Sequence, residues 1–415
     1  MFSDHAYSRA ILNRRNLINT IPTVDPNATI SIGPKGLYNV KANQAININA
    51  QSRWHDIQPQ TTPSTFNSSN FMDFKIPQSI HVLDKISLYL SMANGHATNT
   101  WVSDQSSEFF IRRVEVRQAG EVLQTLESLD LYLRHTVFKN YEELQHQEAR
   151  NGIDVATYQA DATIMTIAAV STNEYSVDLE TLLDQTQIFI AGLRHEITIR
   201  VYLENSANFS DDAENANLTL SSAKIRLREK FYSPPDANNL SNKYTGDLDL
   251  RFCDALIETR TETLTGGTNN KLVLQNFDGE MSPVTFVVLR DMSDIDQNSS
   301  TFVGCANIHF EDQSGHNLNN GIVWKDVDIR NYVYPMYFPN NMSQASGGNL
   351  NVYPFVNALD PHASVTKGVN SGYDVLQRHS RLVLNPTSTL TSHQVDVVAY
   401  VHRHARVSGG VIKIY

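Results

Sequence analysis

Residues Val114–His135 read VEVRQAGEVLQTLESLDLYLRH, a strand-like run that meets Gln118-Ala119-Gly120 and then turns helical. Two architectures contain such a stretch. One is a glycine turn that cradles a phosphate ahead of a helix. The other is a hairpin with a supporting helix in an all-β shell. A phosphate loop needs G-x-x-x-x-G-K-[ST], or G-x-G-x-x-G after a parallel strand. Neither occurs, and Glu121 behind the glycine would repel a phosphate. Val122 and Leu123 continue as a short return strand. The stretch therefore reads as a hairpin, Val114–Arg117 and Glu121–Gln124 joined at Gln118–Gly120, followed by a helix.

Elsewhere the dominant signal has period two. Ile197, Ile199, Val201 and Leu203 alternate with Thr198, Arg200 and Tyr202, and Ile86, Leu88, Leu90 and Met92 with Ser87, Tyr89 and Ser91. Ile225 and Leu227, and Val395, Val397, Ala399 and Val401, follow the same rule. Each run predicts an antiparallel strand with one face covered and one outside. Long polar loops such as Asn205–Asn217 separate the runs, the pattern of a sandwich or jelly roll. Helix is scarce. Leu126, Leu129, Leu133 and Val137 form one apolar stripe, Tyr141–Arg150 extends it or forms a second helix, and Leu179, Leu182 and Leu183 predict a turn or two more.

A chain of 415 residues is long for one core and comfortable for two. Its net charge of −11 argues against nucleic acid as a partner for the bulk of the surface. Cys253 and Cys305 fit no zinc pattern and read as buried free thiols. No apolar run approaches the ~20 residues needed to span a bilayer, and residues 1–19 lack the apolar region of a signal peptide. The stretch SPPDANNLSNKYTG, Ser233–Gly246, reads as a linker. The halves on either side end alike: Arg194-His195 and Arg378-His379 each lead into a strand, a polar loop and a last strand, which suggests duplication.

Several constellations bear on catalysis or metal binding. Asp291, Asp294, Asp296 and Asn298 look like the start of a calcium loop. Counting from Asp294, Ser299 stands where glycine is wanted and Cys305 where glutamate is wanted. His402 and His404 share one strand face, but a metal needs further ligands, from His195, His379 or His393. Asp211-Asp212 and Glu142-Glu143 are adjacent carboxylates whose side chains point apart. Glycosidase chemistry needs two carboxyl groups facing each other ~5–10 Å apart. No nucleophile elbow is present. A two-domain β-sandwich carbohydrate-active enzyme or lectin is the main alternative to a structural protein. Only Trp54, Trp101 and Trp324 are on hand for a sugar platform.

RRVEVRQAGEVLQTLESLDLYLRH (112–135) resembles the strand, turn, strand and helix in the first half of the double jelly-roll major capsid proteins of icosahedral dsDNA viruses, which include large eukaryotic DNA viruses, virophages, polinton-like elements and tailless membrane-containing phages. GLRHEITIRVYLEN and SSAKIRLREKFYSP are similar to the late strands of that roll. Residues Ile257–Arg290 resemble the opening of the second roll, and SGYDVLQRHSRLVLNP and VAYVHRHARVSGGVIKIY its end. The matches keep the family's order over most of Phe71–Tyr415. The turn departs from the commonest Gly-Gly, having Ala119-Gly120.

The resemblance implies an all-β fold of two tandem eight-stranded antiparallel jelly rolls with a few short helices in loops. Residues 1–45 would be an interior-facing arm, 46–232 the first roll, 233–247 a linker and 248–415 the second roll. It implies a viral major capsid protein, not an enzyme and without a cofactor or metal, located in the virion and made in the host cell without a signal peptide. Three copies would form a pseudo-hexagonal homotrimeric capsomer that meets neighbouring capsomers, penton proteins and minor capsid proteins. A minor capsid or spike protein is a further alternative. No sequence-specific nucleic acid is expected as a partner. In the arm, Arg9, Arg14 and Arg15 with Phe2, Ile11, Leu12, Leu17 and Ile18 make a basic amphipathic segment. Such a segment lies on an internal lipid membrane, tucks under a neighbour or frays. The aromatic run NYVYPMYFPNN offers Tyr332, Tyr334, Tyr337 and Phe338 as trimer contacts or as core of the second roll.

Overall fold

The computed structural model describes residues 29–31, 39–41, 50–103, 106–136, 165–209, 215–243, 248–277, 280–282, 284–291, 302–318, 323–325, 328, 351–354, 373–376, 380–387 and 393–415. The strands of the main sheets are numbered here along the chain. The first half holds β1 (Ala50–Ile57), β2 (Phe71–Ile76), β3 (Val82–Asn94), β4 (Ile111–Gln118), β5 (Glu121–Glu127), β6 (Ser171–Asp178), β7 (Ile197–Leu203) and β8 (Leu218–Tyr232). The second holds β9 (Leu248–Glu262), β10 (Asn270–Val273), β11 (Val284–Asp291), β12 (Cys305–Glu311), β13 (Trp324–Lys325), β14 (Asn351–Pro354), β15 (Arg381–Pro386) and β16 (His393–Ser408), with β17 (Val411–Ile414) appended.

The sheets of the first half run β6-β3-β8-β1 and β2-β7-β4-β5, and those of the second β14-β11-β16-β9 and β10-β15-β12-β13. Adding eight to each strand of the first half reproduces the second. Two jelly rolls of one topology therefore stand in tandem. β17 pairs with β16 as an extra hairpin strand.

The alternation of apolar residues builds these sheets as the sequence predicts. Ile197, Ile199, Val201 and Leu203 are fully buried, while Thr198, Arg200 and Tyr202 are half-buried. An aromatic cluster fills one end of the first sandwich, with Phe110 4.7 Å and Phe66 5.6 Å from the Phe209 ring. Trp101 is buried beside them. Phe252, Phe277, Phe286 and Phe310 occupy the second core. Cys253 and Cys305 are free and buried.

The opening stretch is a hairpin. β4 and β5 pair antiparallel with Gln118 opposite Glu121, so the turn is the two residues Ala119-Gly120. Their φ angles are +51° and +89°. Positive φ at both central positions matches the right-handed twist of the flanking strands. Helix α1 (Ser128–Thr136) follows directly.

Two expectations are corrected, and the stretch between the halves proves to hold a helix. Leu126 belongs to β5 and not to the helical stripe, and α1 is buried on every side from Ser128 to His135, Leu131 and Tyr132 as deeply as Leu129 and Leu133, so no single stripe faces a core. Val137 and Tyr141–Arg150 lie outside the described residues. The proposed linker contains a helix, α3 (Pro234–Lys243). Its prolines sit in the first turn, where no N–H is needed. Ser233 precedes them, with its hydroxyl on Asp236 (2.7 Å) and its carbonyl taking the Ala237 N–H (2.8 Å). The prolines start a helix instead of breaking the chain. Finally, β16 does not expose one face. Asp396, Val398 and Tyr400 are as buried as Val395, Val397 and Ala399. The first sandwich lies against the Tyr400 side, where the Arg134 guanidinium of α1 stands 5.5 Å from the Tyr400 ring.

Candidate functional site: the seam between the sandwiches

α1 brings a charged pair into the seam. Arg134 Nε donates to Asp130 Oδ1 at 2.7 Å, one helical turn apart, and both side chains are 1% exposed. The guanidinium also reaches the Cys253 carbonyl of β9 at 3.4 Å. Burial, with Asp130 close by, pushes the Tyr400 hydroxyl well above its ordinary value, which keeps it neutral. A buried pair of this kind is a poor source of net stability, but removing one partner leaves the other as an uncompensated buried charge.

Three glutamines stitch the halves together. Gln118, ending β4, donates from Nε2 to the Gly410 carbonyl (3.2 Å) and accepts the Ile412 N–H on Oε1 (2.8 Å). Its amide stands in for a neighbouring strand on the outer edge of β17. Gln185, in α2 (Leu182–Thr186), does the same for β9. It accepts the Cys253 N–H at 2.9 Å and donates to the Cys253 carbonyl at 3.3 Å. Gln124 accepts the Leu182 N–H (2.6 Å) and donates to Asp254 Oδ1 (3.1 Å). The Arg194 N–H adds a backbone bond across the seam, to the Gly410 carbonyl at 2.9 Å. The two hairpin turns, Ala119-Gly120 and Gly409-Gly410, thus meet through Gln118. The turn that opened the question is a clasp between sandwiches.

A Gln185→Leu variant keeps the size of the side chain and removes both bonds to Cys253. The Cys253 N–H loses its partner, so unfolding free energy is expected to fall by about 1–3 kcal/mol. Amide exchange at Cys253 should quicken, and unchanged protection there would show that the clasp contributes nothing.

The residues singled out in the sequence fare differently. Arg9, Arg14 and Arg15, and Tyr332, Tyr334, Tyr337 and Phe338, lie outside the described residues, as do Asp294, Asp296, Asn298, Asp211-Asp212, Glu142-Glu143 and His379. His195 and His404 are exposed. Among the described residues no three His, Cys, Asp or Glu side chains converge as a metal site requires. Trp101 is locked in the core and cannot be a sugar platform, whereas Trp54 on β1 is 57% exposed. Sequence reading missed all three glutamines. A polar residue beside apolar ones, in a strand for Gln118 and Gln124 and in a short helix for Gln185, was their one signal, and it carries no hint of a partner up to 294 positions away.

No family model matches the chain, and no curated protein matches its sequence. Solved structures do match in fold. The chain is similar to the Faustovirus major capsid protein, with a TM-score of 0.62 and 9% identity over 97% of this chain and 98% of that one. It is similar to VP54 of PBCV-1, as fitted into a reconstruction of the virophage Sputnik, with a TM-score of 0.65 and 10% identity over 88% of this chain and 97% of VP54. The Sputnik virophage structure gives a TM-score of 0.51 and 11% identity over 88% of both chains. The fold is therefore the double jelly roll found in viral major capsid proteins.

Proposed function

We propose that this chain is a major capsid protein, a structural subunit of an icosahedral dsDNA virus. Three copies form a pseudo-hexagonal capsomer, because each contributes two similar lobes to a ring of six. Such a trimer fills six-coordinated positions of the shell and meets neighbouring capsomers, penton proteins and minor capsid proteins. Residues 1–45 form the interior-facing arm in this reading, with Arg9, Arg14 and Arg15 against an internal membrane or a neighbour. Tyr332, Tyr334, Tyr337 and Phe338 are the proposed trimer contacts. The observation that carries the reading is the pair of sandwiches with one topology, in a chain that follows the Faustovirus capsid protein along nearly its whole length.

An obligate trimer of this kind buries over ~2,000 Å² per interface. The purified protein is therefore expected to have a solution mass of three times 46.6 kDa and hexagonal outlines in electron micrographs. A monodisperse monomer that cleaves a glycan would overturn the proposal in favour of a carbohydrate-active enzyme.

A further inference from the structure

The two sandwiches share one topology, so a strand of the first has a counterpart in the second. One pair of counterparts differs in exposure. In the second sandwich the outward residues of β16, Asp396, Val398 and Tyr400, are buried. The first sandwich lies over them, with Arg134 of α1 facing the Tyr400 ring and Gln185 of α2 holding β9 at Cys253. In the first sandwich the strand in the same place is β8. Its outward residues, Lys224, Arg226, Arg228 and Lys230, are only half-buried. Trp54, opposite Arg228 on β1, is 57% exposed. The chain thus covers this kind of sheet face once and leaves it open once.

The open face has the make-up of a protein contact. The Arg228 guanidinium lies 5.8 Å from the Trp54 ring and that of Arg226 4.9 Å from the Tyr89 ring. Trp, Tyr and Arg are the residues that dominate binding energy at interfaces. The charges around them are already paired. Arg226 holds Asp56 at 2.7 and 2.8 Å, Lys230 holds Asp84 at 2.6 Å, and Lys85 holds Asp178 at 2.7 Å. A face neutralised in this way does not draw a polyanion, and covering it strands none of these pairs. The seam shows which surface fits such a face. The first sandwich presents the β5 side of its second sheet, with the helices beside it. The counterpart of β5 in the second sandwich is β13.

We infer that the outer face of β8 and β1, anchored by Trp54, receives the β13 side of the second sandwich of another copy. The joint between chains then repeats the seam within one chain, a head-to-tail contact that closes into a ring. The inference rests on the capsomer reading and names the surface that reading needs. Sedimentation of the full chain tests it. The wild type is expected at three times 46.6 kDa. Trp54→Glu should need a protein concentration about tenfold or more higher to assemble, while its circular dichroism matches the wild type. Phe71→Glu, on the other sheet of the same sandwich and 40% exposed, should assemble as the wild type does. The emission of Trp54, taken as wild type minus Trp54→Phe, should shift to the red as the assembled protein is diluted, a readout that needs no disruptive variant. A trimer that Trp54→Glu leaves equally tight, or that Phe71→Glu loosens as much, overturns the inference and leaves the capsomer standing. So does a trimer in which Trp54 emits as an exposed indole, which would leave the face to a partner other than this chain. A wild type that stays monomeric at every concentration overturns the inference and the capsomer together.

Discussion

An Arg134→Ala variant is expected to lose about 3–5 kcal/mol of unfolding free energy, because it strands the buried Asp130 carboxylate without its counter-ion. Asp130 and Arg134 are both 1% exposed, so solvent cannot replace the guanidinium. The Cys253 carbonyl and the Tyr400 ring lose a donor and a cation at the same time. Replacing both partners together, Asp130→Leu with Arg134→Met, removes the stranded charge and is expected to recover most of the loss. Urea unfolding followed by tryptophan fluorescence measures both variants against the wild type. A single variant within about 1 kcal/mol of wild type, the usual range of an exposed ion pair, would show that the pair is hydrated in solution.

Gly410→Ala is the second large effect. Its φ is +77°, and an added Cβ would lie 2.6 Å from the Arg194 backbone nitrogen and 3.1 Å from the Gly192 carbonyl oxygen. Both are backbone atoms, so neither moves aside without shifting the seam. Left-handed strain costs roughly 1–2 kcal/mol, overpacking about 1–3 kcal/mol, and each weakened bond to the Gly410 carbonyl about 0.5–1.5 kcal/mol. Together these give an expected loss of roughly 3–8 kcal/mol. Gly409→Ala is the internal control. Its φ is +57° with nothing within 4 Å of the added Cβ, so it carries the strain alone, about 1–2 kcal/mol. Thermal unfolding of the two variants side by side separates turn strain from seam contact, and equal losses would show that the turn does not press on the first sandwich.

Local patterns were legible where burial has a period. The β7 alternation and the β4–β5 hairpin follow from residue type alone, since side chains on a strand point to opposite faces and a two-residue turn wants positive φ. β16 was read as covered on one face only. Asp396 and Tyr400 look like solvent-side residues until a second sandwich is placed over them. Pro234-Pro235 signals either a break or a helix start, and the capping contacts of Ser233 decide which. The seam was not legible at all. Across the seam Gln118, Gln124 and Gln185 act on residues 68 to 294 positions away, and no local window contains both ends.

The glutamine amides also bear on aggregation. β9 closes its sheet and β17 closes the hairpin beside it, and such borders expose N–H and C=O groups that recruit any extended peptide. A backbone strand laid there would itself offer a fresh border, and the sheet would go on growing. A side-chain amide saturates one N–H and one C=O and presents no further row. Gln185 and Gln118 therefore terminate the ladder at two places, which discourages runaway strand addition at high protein concentration.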